Sequence, residues 1–240
     1  MPRRFVPSLT AIFAAASAIM LSFAAAGCSG GDEQQIIRKY FEALRLRDQS
    51  TVANMATVEY DMQRDGTVQN FKVLSVSPDR TTKLNIKALA AEWRTAKDDN
   101  DAFQKEIQTY LKANAEEIDR VQKASQSGKK LSPKDAQLQS TWQNWVHQRA
   151  DHADKLTTSR RKLAAETRVA EISTFDARQP IDVNDYDGDL ISKDVVIDAT
   201  LKKGDATTND QMVVTLERAV LTGPKGERQG RWIITDIHKK

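Results

Sequence analysis

The chain has 240 residues and a formal charge of +3, and charged side chains make up 29% of it against 6% for aromatic ones. This composition indicates much solvated helix surface around a modest core, and the small net charge excludes a general attraction to nucleic acid, so we expect no nucleic-acid partner. The single cysteine, Cys28, excludes an internal disulfide and a cysteine-based metal cluster.

The N-terminal segment has the order of features typical of an export signal. Arg3 and Arg4 precede an alanine-rich apolar run from Phe5 to Ala26 that contains no charged residue. A run of this length is also compatible with an uncleaved signal anchor that stays in the bilayer. Both interpretations put the folded part on the non-cytoplasmic side of the membrane.

The end of this run, Ala25 to Cys28, resembles the lipobox of bacterial lipoproteins, although that family usually has leucine where Ala25 stands. The resemblance implies a signal peptide over residues 1–27, cleavage before Cys28 and lipid, such as palmitate, on this residue, with residues 28–32 as a tether. More than one acyl chain gives stable attachment. No aspartate directly follows Cys28, which in Gram-negative lipoproteins favours the outer membrane. We therefore expect a protein anchored on the periplasmic side of that membrane.

The first part of the folded chain predicts two short helices and a strand. Apolar residues recur at helical spacing from Glu33 to Arg47 and predict an amphipathic helix that packs on a sheet. A second helix is predicted from Thr51 to about Val58, with Ser50 as its N-cap. The run from Val68 to Ser77, which ends before Pro78, predicts a strand.

The middle of the chain, residues 84–172, predicts a long helical hairpin. Charge is dense there, and apolar residues recur every three or four positions with one break at 126–131. Ser132, Pro133 and Asp135 supply an N-cap, a first-turn proline and a capping acid for the second helix. Helices of this length reach about 50 to 60 Å, so we expect an antiparallel arm that protrudes from the domain and contacts a protein partner.

Three of the four tryptophans lie in this hairpin: Trp93, Trp142 and Trp145. Their spacing favours a packing interface between the two helices. At an exposed position, a pair of tryptophans would instead mark a docking surface.

Beyond Pro180, alternation of apolar and polar residues predicts three antiparallel strands, Val195–Lys202, Gln211–Leu221 and Arg231–Ile237. Together with the first helix and strand, this arrangement resembles the nuclear transport factor 2-like fold, a cone in which a curved sheet wraps around an N-terminal helix.

The resemblance covers about half of the chain. It implies an α+β domain over residues 33–83 and 173–240, with helices packed on a curved antiparallel sheet and the hairpin 84–172 as an insertion. It also implies a pocket inside the cone. Because this fold serves enzymes, ligand-binding proteins and interaction modules alike, it does not by itself identify a function.

Some enzymes of similar fold use a buried Asp with Tyr to move protons. On this resemblance, the candidate pocket residues are Tyr40, Tyr60, Asp61, Trp232 and Asp236. Nothing in the sequence brings them together, and tyrosines at the rim of a core are the ordinary outcome. The sequence has no glycine-rich phosphate loop, serine elbow or zinc spacing, so we expect no catalytic residue and no cofactor.

An acidic run between Asp182 and Asp194 invites comparison with a calcium loop. With Gly188 at the glycine position of such a loop, Val183 falls where the first acidic ligand is required. We therefore expect a solvated acidic turn and no metal site. The remaining weak metal candidates are Asp185, Asp187, Asp189 and Asp194.

The sequence thus favours a lipid-anchored, non-catalytic protein of the cell envelope whose hairpin acts as an interaction arm or scaffold. A small-ligand-binding protein that uses a cone pocket is the alternative. An isomerase- or hydratase-like enzyme of that fold is the third hypothesis, and the sequence does not decide whether the chain is an enzyme.

Overall fold

The computed structural model describes residues 31–240, so the predicted signal peptide, the lipobox and Cys28 lie outside the described residues. The described chain is an α+β protein with a curled antiparallel sheet and long helices, which confirms the predicted class. The helices are α1 (Asp32–Leu46), α2 (Gln49–Met55), α3 (Met62–Asp65), α4 (Ile86–Gln126) and α5 (Pro133–Thr174). The strands are β1 (Thr67–Val76), β2 (Arg80–Leu84), β3 (Asp187–Lys203), β4 (Ala206–Gly223), β5 (Gly226–Gln229) and β6 (Ile233–Lys239).

A long hairpin of β3 and β4 forms the centre of the sheet, and every other strand pairs with one of these two. β1 and β2 lie one after the other along the outer edge of β3, while β5 and β6 lie in the same way along β4. The pairing of β1 and of β6 is interrupted by irregular positions. Such bulges bend a strand and increase its twist, which accounts for the curl of the sheet.

The main core lies between α1 and one face of this sheet. Along β3 and β4, alternate residues are fully buried against the helix, and a fully buried side chain of this size stabilises the fold by about 2 kcal/mol. The helix side chains in this core are those of Ile37, Tyr40, Phe41 and Leu44. The strand side chains are those of Val195, Ile197, Ala199, Leu201, Met212, Val214 and Leu216.

A second core attaches the base of the helical hairpin to the sheet. Ile86 and Ala90 of α4 and Ala170 of α5 pack there with Ala219 and Leu221 of β4. Side chains alternate between the two faces of a strand, so these β4 residues face away from the α1 side. The hairpin and α1 therefore cover opposite faces of the sheet.

The hairpin itself is an antiparallel pair of helices of 41 and 42 residues, each about 60 Å long. Aromatic rings pack between them: Phe103 lies 5.4 Å from Trp145 and is stacked 4.5 Å from His152, measured between ring centroids. Trp145 also lies 5.4 Å from Tyr110. Of the three hairpin tryptophans, Trp145 lies in this packing interface. Trp93 packs against the second core, and Trp142 lines a groove near the far end of the hairpin. Within residues 31–240, no helix combines the length and the apolar character needed to cross a bilayer.

Three local features differ from the predictions. The acidic run was expected to form a turn, but from Asp187 onward it belongs to β3. Asp48, not Ser50, caps α2, because its carboxylate accepts a hydrogen bond from the backbone N–H of Thr51 at 3.0 Å. The strand β2 lies where no element was predicted, directly before the first hairpin helix. Its residues are mostly exposed and polar, and backbone pairing with β3 holds it in place. Such a strand shows no alternation of apolar and polar residues in the sequence.

Candidate functional site

A large open groove, of about 1080 Å³, lies where α1, α2 and the end of α5 meet β4 and the residues around the β5–β6 connection. We call it the arginine groove. Its cationic and aromatic lining residues are Lys39, Phe175, Arg218, Arg228, Arg231 and Trp232.

The groove exists because the end of α5 fits between β5 and β6. The backbone N–H of Ala219 donates to Ser173 Oγ at 3.0 Å, and that of Arg231 donates to the Ser173 carbonyl oxygen at 2.9 Å. A Cβ on Gly230 would lie 1.8 Å from the same Oγ, so only glycine fits at this position. The groove wall is thus fixed by backbone contacts.

Trp232 is half-buried, and two cationic side chains contact the face of its indole ring. Lys193 Nζ lies 4.1 Å and Arg218 Cζ 4.5 Å from the ring centroid, which is within the range of a cation–π interaction. Lys193 also forms an ion pair with Glu33 in the first turn of α1. The start of α1 is therefore tied to the tryptophan of the groove.

Burial alone would raise the pKa of Glu33, but the hydrogen bond and the positive charge of Lys193 outweigh burial and hold this pKa below its ordinary value of 4.5. The two side chains are only 17% and 10% exposed. Glu33 is therefore ionised at neutral pH, and both side chains are largely shielded from water.

The three arginines of the groove have no acidic partner among the residues that the structure describes. Within residues 31–240, none of Arg218, Arg228 and Arg231 forms a salt bridge with a carboxylate. The Nε atoms of Arg218 and Arg228 are buried and have no hydrogen-bond partner. A buried donor left unpaired costs about 1 to 3 kcal/mol.

The hydrogen bonds that these arginines do make go to neutral oxygens. Arg231 donates to the carbonyl oxygens of Phe175 and Asn54 at 3.2 and 3.0 Å, and Arg228 donates to Gln179 Oε1 at 2.7 Å. Their positive charge is thus positioned but not neutralised by these contacts. Guanidinium groups in this state suit carboxylate and phosphate oxygens.

The structure does not bring the five predicted pocket residues into one site. Tyr40 and Tyr60 lie together in the main core, where the Tyr40 hydroxyl donates to the Val58 carbonyl oxygen at 3.0 Å and accepts from the Tyr60 N–H at 2.9 Å. Burial raises the pKa of each phenol to about 12. Both hydroxyls therefore stay protonated at physiological pH and hold the chain between α2 and β1.

The other three candidates are dispersed. Asp61 is exposed, and its carboxylate caps α3 by accepting from the Gln63 and Arg64 backbone N–H groups. Asp236 is also exposed and lies 2.7 Å from the ring of His238. Only Trp232 lines the arginine groove.

The four weak metal candidates contact separate partners. Asp185 pairs with Arg94 at 3.6 Å, Asp189 with Lys83 at 3.4 Å and Asp194 with Arg80 at 2.7 Å, while Asp187 accepts from the Lys87 backbone N–H at 3.0 Å. In the described part of the chain, no group of three or more His, Cys, Asp or Glu side chains is arranged to hold a metal ion.

A smaller groove of about 520 Å³ lies near the far end of the hairpin. Glutamine amides from both helices line it together with Trp142 and Val146, and Val146 is 48% exposed. This surface lies at the opposite end of α5 from the arginine groove.

Two charged residues within the strand patterns are the sequence signal for the arginine groove. Lys193 is in phase with the buried residues of β3, and Arg218 is in phase with those of β4. A charged side chain on the buried face of a strand is unusual unless it has a partner. These two positions therefore indicated a special site at that end of the sheet.

The chain matches no family model, and comparison with curated proteins and with solved structures gave no match.

Proposed function

We propose that this chain is a bacterial lipoprotein, anchored by lipid on Cys28 to the periplasmic side of the outer membrane, whose arginine groove binds a ligand with a carboxylate or phosphate group. The observation that carries the binding proposal is the set of three groove arginines, none of which pairs with a carboxylate in the described part of the chain. An anionic ligand in the groove would neutralise their positive charge.

The role proposed here is binding rather than catalysis. The groove presents cations, an indole and backbone groups, which fix an anion by charge and hydrogen bonds. The hydrogen bonds of Tyr40, Tyr60 and Asp61 go to backbone groups of the same domain. These contacts favour a structural role for the three side chains.

We also propose that the α+β domain is a nuclear transport factor 2-like cone. Two features support this assignment: α1 packs across the curled sheet, and the hairpin is inserted between β2 and β3 without interrupting the core under α1. A crystal structure in which the sheet lay flat and α1 packed elsewhere would contradict it.

Titration calorimetry on residues 29–240 tests the binding proposal, with inorganic phosphate and citrate as probes. We expect at least one of these anions to bind, and Arg218→Gln to weaken it about tenfold, since a hydrogen bond to a charged group contributes about 1.5 to 3 kcal/mol. Lys129→Gln, which removes an exposed cation at the hairpin turn, is the matched control. No binding of either anion, or equal losses in the two variants, would contradict the proposal.

A second function, a protein contact by the hairpin, is favoured by the partly exposed Val146 beside Trp142 near its far end. Recovery of partners from envelope membranes tests it. Val146→Asp should remove a partner that Ser140→Asp, on the same helix, retains. Identical partners in both variants would rule out this surface.

A further inference from the structure

We infer that the arginine groove docks on the anionic phospholipid headgroups of the membrane in which the chain is anchored. This inference rests on the proposed function and names the source of its ligand.

The position of the groove relative to the anchor is the first argument. Cys28 lies only four residues before Asp32, and a chain segment of that length spans at most about 14 Å when fully extended. Asp32, Gln35 and Lys39 line the groove. Lipid on Cys28 would therefore keep the groove rim within about 14 Å of the headgroups, whatever the path of the tether.

The charge of the groove is the second argument. Lys39, Arg218, Arg228 and Arg231 line it, against the two acids Asp32 and Asp176. A cation near a membrane surface with anionic lipids contributes about 1 kcal/mol to binding, and this attraction decays within a Debye length. A tether of at most about 14 Å lets the groove come within a Debye length of the membrane surface.

An exposed aromatic side chain is the third argument. Phe175 follows the last turn of α5, lines the groove and is 61% exposed. Its carbonyl oxygen accepts from Arg231, so the exposed aromatic residue is hydrogen-bonded to a cation of the groove. This combination suits the interface between headgroups and acyl chains, where basic residues meet anionic lipid and apolar side chains insert.

The test uses the intact lipoprotein carrying its own lipid. Because Cys28 would be blocked by its acyl group, Ala177→Cys introduces one free thiol on an exposed residue of the groove, and Ser127→Cys introduces one at the hairpin turn. Each thiol receives a fluorophore, and the protein is reconstituted into vesicles with a trace of lipid bearing a headgroup quencher. One set of vesicles is pure phosphatidylcholine, and the other is an equal mixture of phosphatidylcholine and phosphatidylglycerol.

We expect the Ala177→Cys fluorophore to be quenched more strongly in the phosphatidylglycerol vesicles, and the Ser127→Cys fluorophore to be unaffected by lipid composition. Adding Lys39→Gln and Arg228→Gln should weaken docking about fivefold for each charge removed. The matched pair Lys129→Gln and Lys130→Gln, at the far end of the hairpin, should leave it unchanged.

Equal quenching of the groove fluorophore in both lipids would overturn the inference, and so would equal losses from the two charge-removing pairs. The proposed function fails in a different way. A chain without lipid on Cys28 would not float with either vesicle by its anchor, and an inactive groove would bind neither phosphate nor citrate in solution.

Discussion

Lys193 illustrates how one residue links the sheet, α1 and the groove. It lies on the buried face of β3, beneath Trp232, and pairs with Glu33. The sequence alone places Lys193 on the same face of the strand as the buried apolar residues. It does not predict the partner of Lys193, because Glu33 is separated from it by 160 residues.

Removing this cation should destabilise the protein. Lys193→Met leaves the shielded Glu33 carboxylate without its counter-charge, and we expect a loss of about 3 kcal/mol at pH 7, measured by urea unfolding. The folded-state pKa of Glu33 is lowered, so the contribution of the pair is present above pH 4.5 and is lost as the pH falls through the lowered pKa. The difference between wild type and variant should shrink below pH 4.5, and a difference independent of pH would contradict this account.

Gly230 is the second residue on which the groove depends. We expect Gly230→Ala to lower the free energy of unfolding by about 2 kcal/mol or more, since its Cβ would collide with Ser173 Oγ and approach the Ala219 carbonyl oxygen at 2.9 Å. Glu227→Ala, at an exposed position of the neighbouring strand β5, is the control. Equal melting temperatures for Gly230→Ala and wild type would show that the end of α5 is not held as described.

At the scale of elements, the sequence predicted those with a strong apolar period and missed those held only by backbone pairing. α1, β1 and the two hairpin helices were found close to their actual bounds, since each buries a regular set of apolar side chains. β2 and β5 are short and largely exposed. No side-chain pattern predicts them, because their partner strand alone defines them.

The hairpin helices should depend on their aromatic contacts for stability. Trp145→Ala removes the ring packed on Phe103 and Tyr110, and we expect a loss of about 2 to 3 kcal/mol in the stability of the hairpin. Thermal melting followed by circular dichroism measures it, since these helices dominate the helical signal. Val146→Ala, the more exposed neighbour, should change the melt little. A similar melt for both variants would contradict the packing described here.

At the scale of the whole molecule, the arginine groove and the smaller groove of the hairpin lie near opposite ends of α5. Its last residues line the arginine groove, and its first turn lies about 60 Å away at the far end of the hairpin. A partner bound at the far end of the arm would therefore not contact the groove. Of the candidate site, only Trp232 was predicted, because residues from α1, α2, α5 and β4 converge there only in the folded chain.

Lipid on Cys28 is the central claim, since the membrane location and the inferred docking both depend on it. Mass spectrometry of the N-terminal peptide, taken from protein isolated with the membranes of its native cell, tests it directly. We predict a chain that begins at Cys28 and carries a diacylglyceryl group on its sulfur. A chain that still begins at Met1, with a free thiol at Cys28, would contradict the account.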